Sequence, residues 1–325
     1  TGAAYTVSND LLKGVLTLDE IAKKLRIKRM KKGALSFDRV EVNFILKEDD
    51  TPESVYFKTS KDANKLVEEF MLLANKQVAS FAGNRKTPLP FVYRIHDEPD
   101  ADKLNNLQIV VSNFGYKLDL KTKDVSKSLN VLLSDIQGKQ EQNLIDTLTI
   151  RCMSKAEYNI DNIGHYGLAF NFYSHFTSPI RRYPDVMVHR LLEHHLAKQK
   201  AKDPDSIQAA CVHSSQRELI ATKAERDSIK FMQIKFMEDK IGKTFEGVIS
   251  GVTDRGIYVE LVENKCEGMI RIKDITGDYF NYDDKAHALV GERTKKRYQL
   301  GDSIDVSVLK ADLIKRHLDF KLEEK

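Results

Sequence analysis

Two adjacent guanidiniums, Arg181 and Arg182, stand just ahead of a proline-set helix start in the stretch YGLAFNFYSHFTSPIRRYPDVMVH, residues 166–189. Tyr173, His175, Thr177, Ser178, Asp185 and His189 crowd the same stretch. Arginine offers a rigid fork that can meet two phosphate oxygens at once, so such a pair is well placed to grip a phosphate. The alternative is structural: Arg181 and Asp185 could satisfy each other in an ion-pair turn. Residue types alone leave both open. Apolar helical spacing follows directly, through Met187 and Leu191 on one track and Val188, Leu192 and Leu196 on another.

Carboxylates on apolar helices are the next candidates. Over residues 61–82, Val67, Phe70, Leu73, Ala74, Val78 and Phe81 keep helical spacing, and Met71 and Leu72 widen the apolar surface. The pattern predicts a largely buried helix. Glu68 and Glu69 lie within it, and a carboxylate there needs a partner or a role. Residues 206–238 predict a long helix ending near Gly242. On it Glu225 shares a stripe with Ile229, Met232 and Phe236, which predicts a buried carboxylate flanked by Lys223 and Arg226. His96, Asp97, Glu98, Asp100 and Asp102 have the composition of a metal site. Pro99 and the helical continuation ADKLNNLQIVV predict an acidic helix cap instead. The acids of KEDDTPES read as a solvated turn between alternating strands over 36–47 and 54–59.

Further elements must hold these groups. Residues 17–32 predict an amphipathic helix stopped by Gly33, and 124–135 and 140–156 predict two more. From Gly242 the pattern turns from helical to alternating, with glycines at the bends. About 80 residues in this style suit a five-stranded barrel. Ile257, Val259 and Leu261 should point inward, and Tyr258 outward, where a base could stack. The insertion before the last strands carries the basic run Lys295, Lys296 and Arg297, read as a loop.

Composition sets bounds. The chain has 325 residues, 41% hydrophobic and 31% charged, as in a globular protein of about two domains. The net charge of +4 permits nucleic-acid binding without arguing for it. No apolar run of about 18 residues predicts a membrane span. Cys152, Cys211 and Cys266 are few, odd in number and far apart, which points to a reducing cytoplasm.

The stretch HYGLAFNFYSHFTSPIRRYPDVMVHRLL resembles the signature of the RNB exoribonuclease family. The resemblance extends through GALSFDRVEVNF, KLVEEFMLLAN, FVYRIHDEPD and NIGHYGLAF, and downstream through TKAERD. The C-terminal segments resemble an S1 domain. Together they imply an α+β fold, with a mostly helical RNB portion over 1–239 and an S1-type OB barrel over 240–325. They imply a 3′→5′ exoribonuclease that releases nucleoside 5′-monophosphates processively from single-stranded RNA with Mg²⁺. Arg181, from SPIR, and Glu225, from AERD, would be catalytic. Phe37 would stack on a base and Glu68 would contact a ribose. Tyr173, His175, Ser178 and Arg182 would line the RNA site, and Arg255, Tyr258 and Arg271 the barrel face. Arg255 and Arg271 replace an aromatic and a histidine usual in S1 domains, shifting weight from stacking to phosphate contact.

One departure matters. The family's metal-binding aspartates, of the form IDxxxAxDFDD, are absent from this sequence. The family places them upstream of GALSFDRVEVNF. The expectation is a C-terminal part of a longer enzyme, with the Mg²⁺ ligands ahead of Thr1, no metal on this chain, and little activity alone. A monomer is expected, with single-stranded RNA as partner. The competing expectation is a non-catalytic single-stranded RNA-binding module.

Overall fold

Ser8 opens the first helix, α1 (Asn9–Lys31), by accepting the Leu11 N–H on its side chain. The computed structural model describes residues 8–35, 41–122, 124–139, 141–199, 203–283 and 288–323. This cap starts α1 eight residues before the predicted 17–32. Gly33, at φ +96°, ends it as expected. β1 (Glu41–Leu46) and β2 (Pro52–Lys58) form the predicted antiparallel hairpin, with Phe44 opposite Val55.

α2 (Asp62–Gly83) lies where the spacing put it, but its buried track is rotated. Glu69, Leu72, Asn75, Ala79, Ala82 and Gly83 face inward, while Val67 is 54% exposed. Small residues set this rotation by allowing close approach. A Cβ at Gly83 would meet the Phe172 ring at 2.5 Å. Glu69 is compensated by Arg29 of α1, whose Nη2 lies 2.5 Å from Oε1 and Nε 3.4 Å from Oε2. Breaking such a buried pair from one side typically costs about 3–5 kcal/mol.

β3 (Tyr93–Ile95) pairs antiparallel with β4 (Glu157–Asn159). Between them lie α3 (Ala101–Asn113), α4 (Val125–Asp135) and α5 (Gln142–Cys152). Asp100 accepts the Lys103 N–H at 3.1 Å, so it is the helix cap that the acids of HDEPDADK suggested. α6 (Tyr183–Leu196) and α7 (Pro204–Met237) follow. Phe91, Tyr93, Ile95, Tyr158, Val188 and Cys211 form one core beneath β3, β4, α6 and α7.

The C-terminal strands are β5 (Thr244–Thr253), β6 (Gly256–Leu261), β7 (Glu267–Arg271), β8 (Phe280–Asp283), β9 (Ala288–Gly291), β10 (Arg297–Gln299), β11 (Ser303–Asp312) and β12 (His317–Glu323). A closed barrel runs β11-β12-β7-β6-β5, the five-stranded form expected. Ile257, Val259 and Leu261 are fully buried in it. The insertion is not a loop but a three-stranded antiparallel sheet, β10-β9-β8. Phe280 and Tyr298 give it an interior, their rings 5.4 Å apart. The barrel core is continuous with Leu107 and Leu129 of α3 and α4 and with Ile234 and Met237 of α7.

Gly256 closes the tightest approach in the barrel. Its φ is +146°, and a Cβ there would meet the Ile270 carbonyl oxygen at 2.1 Å. Gly256→Ala is expected to destabilise the chain by about 2–4 kcal/mol. Gly251→Ala, where a Cβ meets only the Tyr258 side chain at 3.4 Å, should leave stability unchanged or raise it by up to about 1 kcal/mol. Urea midpoints at constant slope compare the two. Equal losses would remove the close approach as the cause.

Candidate nucleic-acid interface

The turn that carries the two arginines is built around Asp185, whose side chain has no solvent exposure. Asp185 Oδ1 accepts the Ser178 N–H at 2.7 Å and the Arg182 Nη2 at 2.9 Å. Arg182 Nε sits 2.8 Å from Oδ2, in ion contact without hydrogen-bond alignment. The Arg181 and Arg182 N–H groups both return to the Ser178 carbonyl. Pro184 stands in the first turn of α6, where its missing N–H costs nothing. Asp185 therefore pairs with Arg182, and the Arg181–Asp185 pairing considered from sequence does not form. Arg181 is exposed, and its guanidinium has no hydrogen bond or ion pair among the described residues.

A second layer fixes the strand leading into the turn. Buried Asn75 of α2 donates to the Tyr173 hydroxyl at 3.1 Å and accepts the Phe176 N–H at 2.9 Å. The Tyr158 hydroxyl and His175 Nδ1 are 2.8 Å apart. His189 stacks on Phe176 at 4.1 Å, with Nε2 2.8 Å from the Phe176 carbonyl oxygen. Arg94 forks onto Glu218 of α7 at 2.7 and 3.1 Å and covers the Tyr158 ring at 4.6 Å. Burial pushes His175 down to about 2, with help from the Arg182 and Arg94 charges. Burial likewise lifts Tyr158 to about 12. His175 is therefore a neutral packing group at ordinary pH. Tyr173 is only 5% exposed. Both residues, expected at the RNA surface, make their contacts here inside the protein. Ser178 contributes its backbone N–H to Asp185, and Arg182 is held by the same carboxylate.

Other expected site residues are placed as follows. Glu68 is about half exposed and 3.8 Å from Arg29. Its neighbour Glu69 takes the buried position. Glu225 is exposed, not buried as its stripe suggested. Ile229 beside it is 38% exposed, and Leu219, Ile220 and Phe231 are also open. The physical reason is the span of α7. It packs through Ile207, Cys211 and Ser214 at one end and Gln233, Ile234 and Met237 at the other, with its middle bridging two cores. No ion pair joins Glu225 and Arg181 among the described residues. Phe37 lies outside the described residues.

On the barrel, Tyr258 points outward as expected. It pairs across strands with Met269, and Met269 is opposite Asp319. Arg271 shares this face but is tied to Asp319 at 2.8 Å, which lowers its value as a free phosphate ligand. Arg255 stands exposed in the tight β5–β6 turn. Lys296 covers the Tyr298 ring at 5.1 Å, so the basic run leads into β10 of the separate sheet β8–β10. Among the described residues, no group of three or more His, Cys, Asp or Glu is placed to hold a metal ion. None of the described helices is long and apolar enough to cross a membrane. The three cysteines are buried and free, their thiols raised to about 11 or 12 by burial. Sequence reasoning passed over Asn75, although a lone amide between Leu72 and Ala79 on an apolar track is a legible signal.

The RNB domain model matches residues 3–198, well over half of the chain. The chain belongs to the RNB family. An S1 RNA binding domain model matches residues 238–323. This RNB chain is 36% identical over 319 residues to Ribonuclease R of Aquifex aeolicus, covering 97% of this chain and 45% of that protein. It is 38% identical over 324 residues to Ribonuclease R 1 of Lactococcus lactis, covering 98% and 39%. It thus spans less than half the length of these relatives. Among solved structures it is similar to Mycoplasma genitalium RNase R in complex with ribose-methylated single-stranded RNA. The TM-score is 0.90 at 25% identity, covering 99% of this chain and 51% of that one.

The neutral His175 makes a pH prediction for this RNB chain. The unfolded imidazole gains a proton below its ordinary 6.5, whereas the folded one resists to about 2. Its contribution is complete above pH 6.5 and is lost as pH falls, at a limiting slope of about 1.4 kcal/mol per pH unit. Melting temperature should therefore drop more steeply between neutral and mildly acid pH in wild type than in His175→Gln. Parallel curves would mean the imidazole is solvated.

Proposed function

We propose that this chain forms part of a 3′→5′ exoribonuclease that hydrolyses single-stranded RNA processively to nucleoside 5′-monophosphates. The observation that carries the proposal is Arg181. Its neighbour is neutralised by Asp185 and its backbone is pinned to Ser178, yet its own guanidinium is left unpaired and exposed. Membership of the RNB family and the likeness to a ribonuclease bound to single-stranded RNA support the same reading.

In this reading Arg181 donates to non-bridging oxygens of the scissile phosphate as charge develops there. The turn is rigid, so little reorganisation is needed when that charge appears. Glu225 acts beside it, and Glu68 and Phe37 hold the terminal ribose and base. Tyr173, His175, Ser178 and Arg182 serve the strand through the turn they shape. Mg²⁺ would supply an activated water and a clamp on the phosphate oxygens. The described residues do not offer a ligand set for it. We place the boundary of the RNB portion at residues 239 and 240, with the barrel as a second RNA contact. In the same reading the protein is a cytoplasmic monomer.

A second reading, a non-catalytic RNA-binding module, is favoured by the barrel. Tyr258, Met269 and Arg271 share one partly exposed barrel face, with Arg271 held by Asp319 of the same barrel. Incubating the chain with Mg²⁺ and a 3′-tailed oligonucleotide tests whether the chain alone is active; the Arg181→Ala comparison in an active enzyme separates the two readings. Tight binding with slow or no release of mononucleotides is expected of this chain. Processive release would show that it needs no further part.

In an active enzyme containing this chain, Arg181→Ala should lower turnover about 10²–10³-fold, the usual loss for such a donor. Affinity for RNA should change little, because the contact strengthens in the transition state. Normal turnover with weaker binding would put Arg181 in the channel wall.

The barrel face yields a separate expectation. Arg255→Ala should reduce the slope of log K against log salt by about 0.7, the share of one phosphate on a single strand. Tyr258→Ala should cost about 1–3 kcal/mol of binding while the slope holds, because stacking is not ionic. Titrations across salt concentrations test both. Unchanged affinity in both variants would remove the barrel from RNA binding.

A further inference from the structure

The groove between α1 and α2 has an unbalanced charge. A cavity of about 160 Å³ there is lined by Lys28, Arg29, Lys32, Glu69, Lys76 and Phe170, over a floor that includes three leucines. Arg29 and Glu69 cancel as a buried pair. Three lysines remain. Among the described residues none of them has an ion pair, and Lys76 meets only the Phe170 ring, 5.4 Å from its centroid. Glu68 approaches Arg29 but does not line the groove.

The lysines also repel one another. Burial first, then the Lys32 and Lys28 charges, pull Lys76 below the ordinary lysine range. Lys24, Lys28, Lys31 and Lys32 share a second patch along α1, so like charges stand four residues apart on one helix. Such pairs destabilise a helix by a few tenths of a kcal/mol each. A solvated lysine ridge could bear this cost. Lys76 argues otherwise, because it comes from a different helix and is partly buried against the same cations. Lys32 and Phe170 also line a neighbouring cleft of about 1030 Å³, so the groove opens into a larger space.

We propose that Lys28, Lys32 and Lys76 form a phosphate-binding groove that holds consecutive phosphates of single-stranded RNA, with Phe170 offering a ring edge to the strand. The proposal rests on the RNA reading above and deepens it by giving the backbone a defined seat. Three lysines across a narrow groove suit a chain of phosphates better than a single ion. They read no base, so the groove is indifferent to sequence.

The test is titration of the 325-residue chain with a labelled single-stranded oligoribonucleotide of about 16 nucleotides, between about 0.05 and 0.2 M salt. The triple variant Lys28→Gln, Lys32→Gln, Lys76→Gln should bind at least tenfold more weakly at the low-salt end. Its slope of log K against log salt should be shallower by about 2, at about 0.7 per phosphate. The double variant Lys28→Gln, Lys32→Gln changes only exposed side chains and guards against misfolding. Its slope should be shallower by about 1.4. Wild-type slopes in both variants overturn the groove while leaving the RNA reading intact. Weaker binding with an unchanged slope also overturns it, since the lysines would then act only through the fold. A wild-type chain that binds no RNA overturns the RNA reading, and the groove with it.

Discussion

A carboxylate with no access to water must be offset by donors and opposite charge, because its desolvation is worth several kcal/mol. Asp185 is such a group, and the geometry of the arginine turn follows from it. To satisfy Oδ1 the chain must bring back both the Ser178 N–H and the Arg182 guanidinium. That closes the turn and starts α6 with a proline in its first turn. It also takes one arginine out of service and turns the other outward. A single buried charge thus decides which of two adjacent, chemically identical side chains can meet a ligand. Asn75 applies the same logic one layer deeper. Its amide has one donor side and one acceptor side, and both are spent on positioning Tyr173 and Phe176.

The turn was legible as a place because its residue types crowd a short span, but its pairing was not: the sequence offered Arg181 to Asp185, and the fold gives it Arg182. The barrel was legible for a different reason. Period-two alternation with Ile257, Val259 and Leu261 inward has only one face to bury, and glycines marked the bends. Asp100 was legible as a cap because a cap needs only its own helix.

What could not be read depended on distant partners. Periodicity locates an apolar stripe but does not say which part of it meets another element. On α7 the stripe through Glu225 and Ile229 is real, yet the helix bridges two cores and its fully buried residues lie towards its two ends. On α2 the choice between Glu68 and Glu69 was made by Arg29, forty residues earlier in the chain. On the barrel, Arg271 reads as a free cation until β12 brings Asp319 to within 2.8 Å. In each case a contact remote in sequence reassigned the charge of a residue whose position had been foreseen.

Charge bookkeeping therefore has to be local. The net charge of +4 is the remainder of 52 basic and 48 acidic side chains, and it hides a strong segregation. Arg29, Arg94, Arg182 and Arg271 are each bound to a named carboxylate and hold elements together. Arg181, Arg255 and the lysines of the α1–α2 groove have no such partner among the described residues. The paired arginines are fork-shaped donors that suit fixed, partly buried carboxylates. The unpaired cations lie on the turn, on the barrel rim and along a groove. A polyanion is attracted by that second set alone, so an almost neutral protein can present a strongly cationic path.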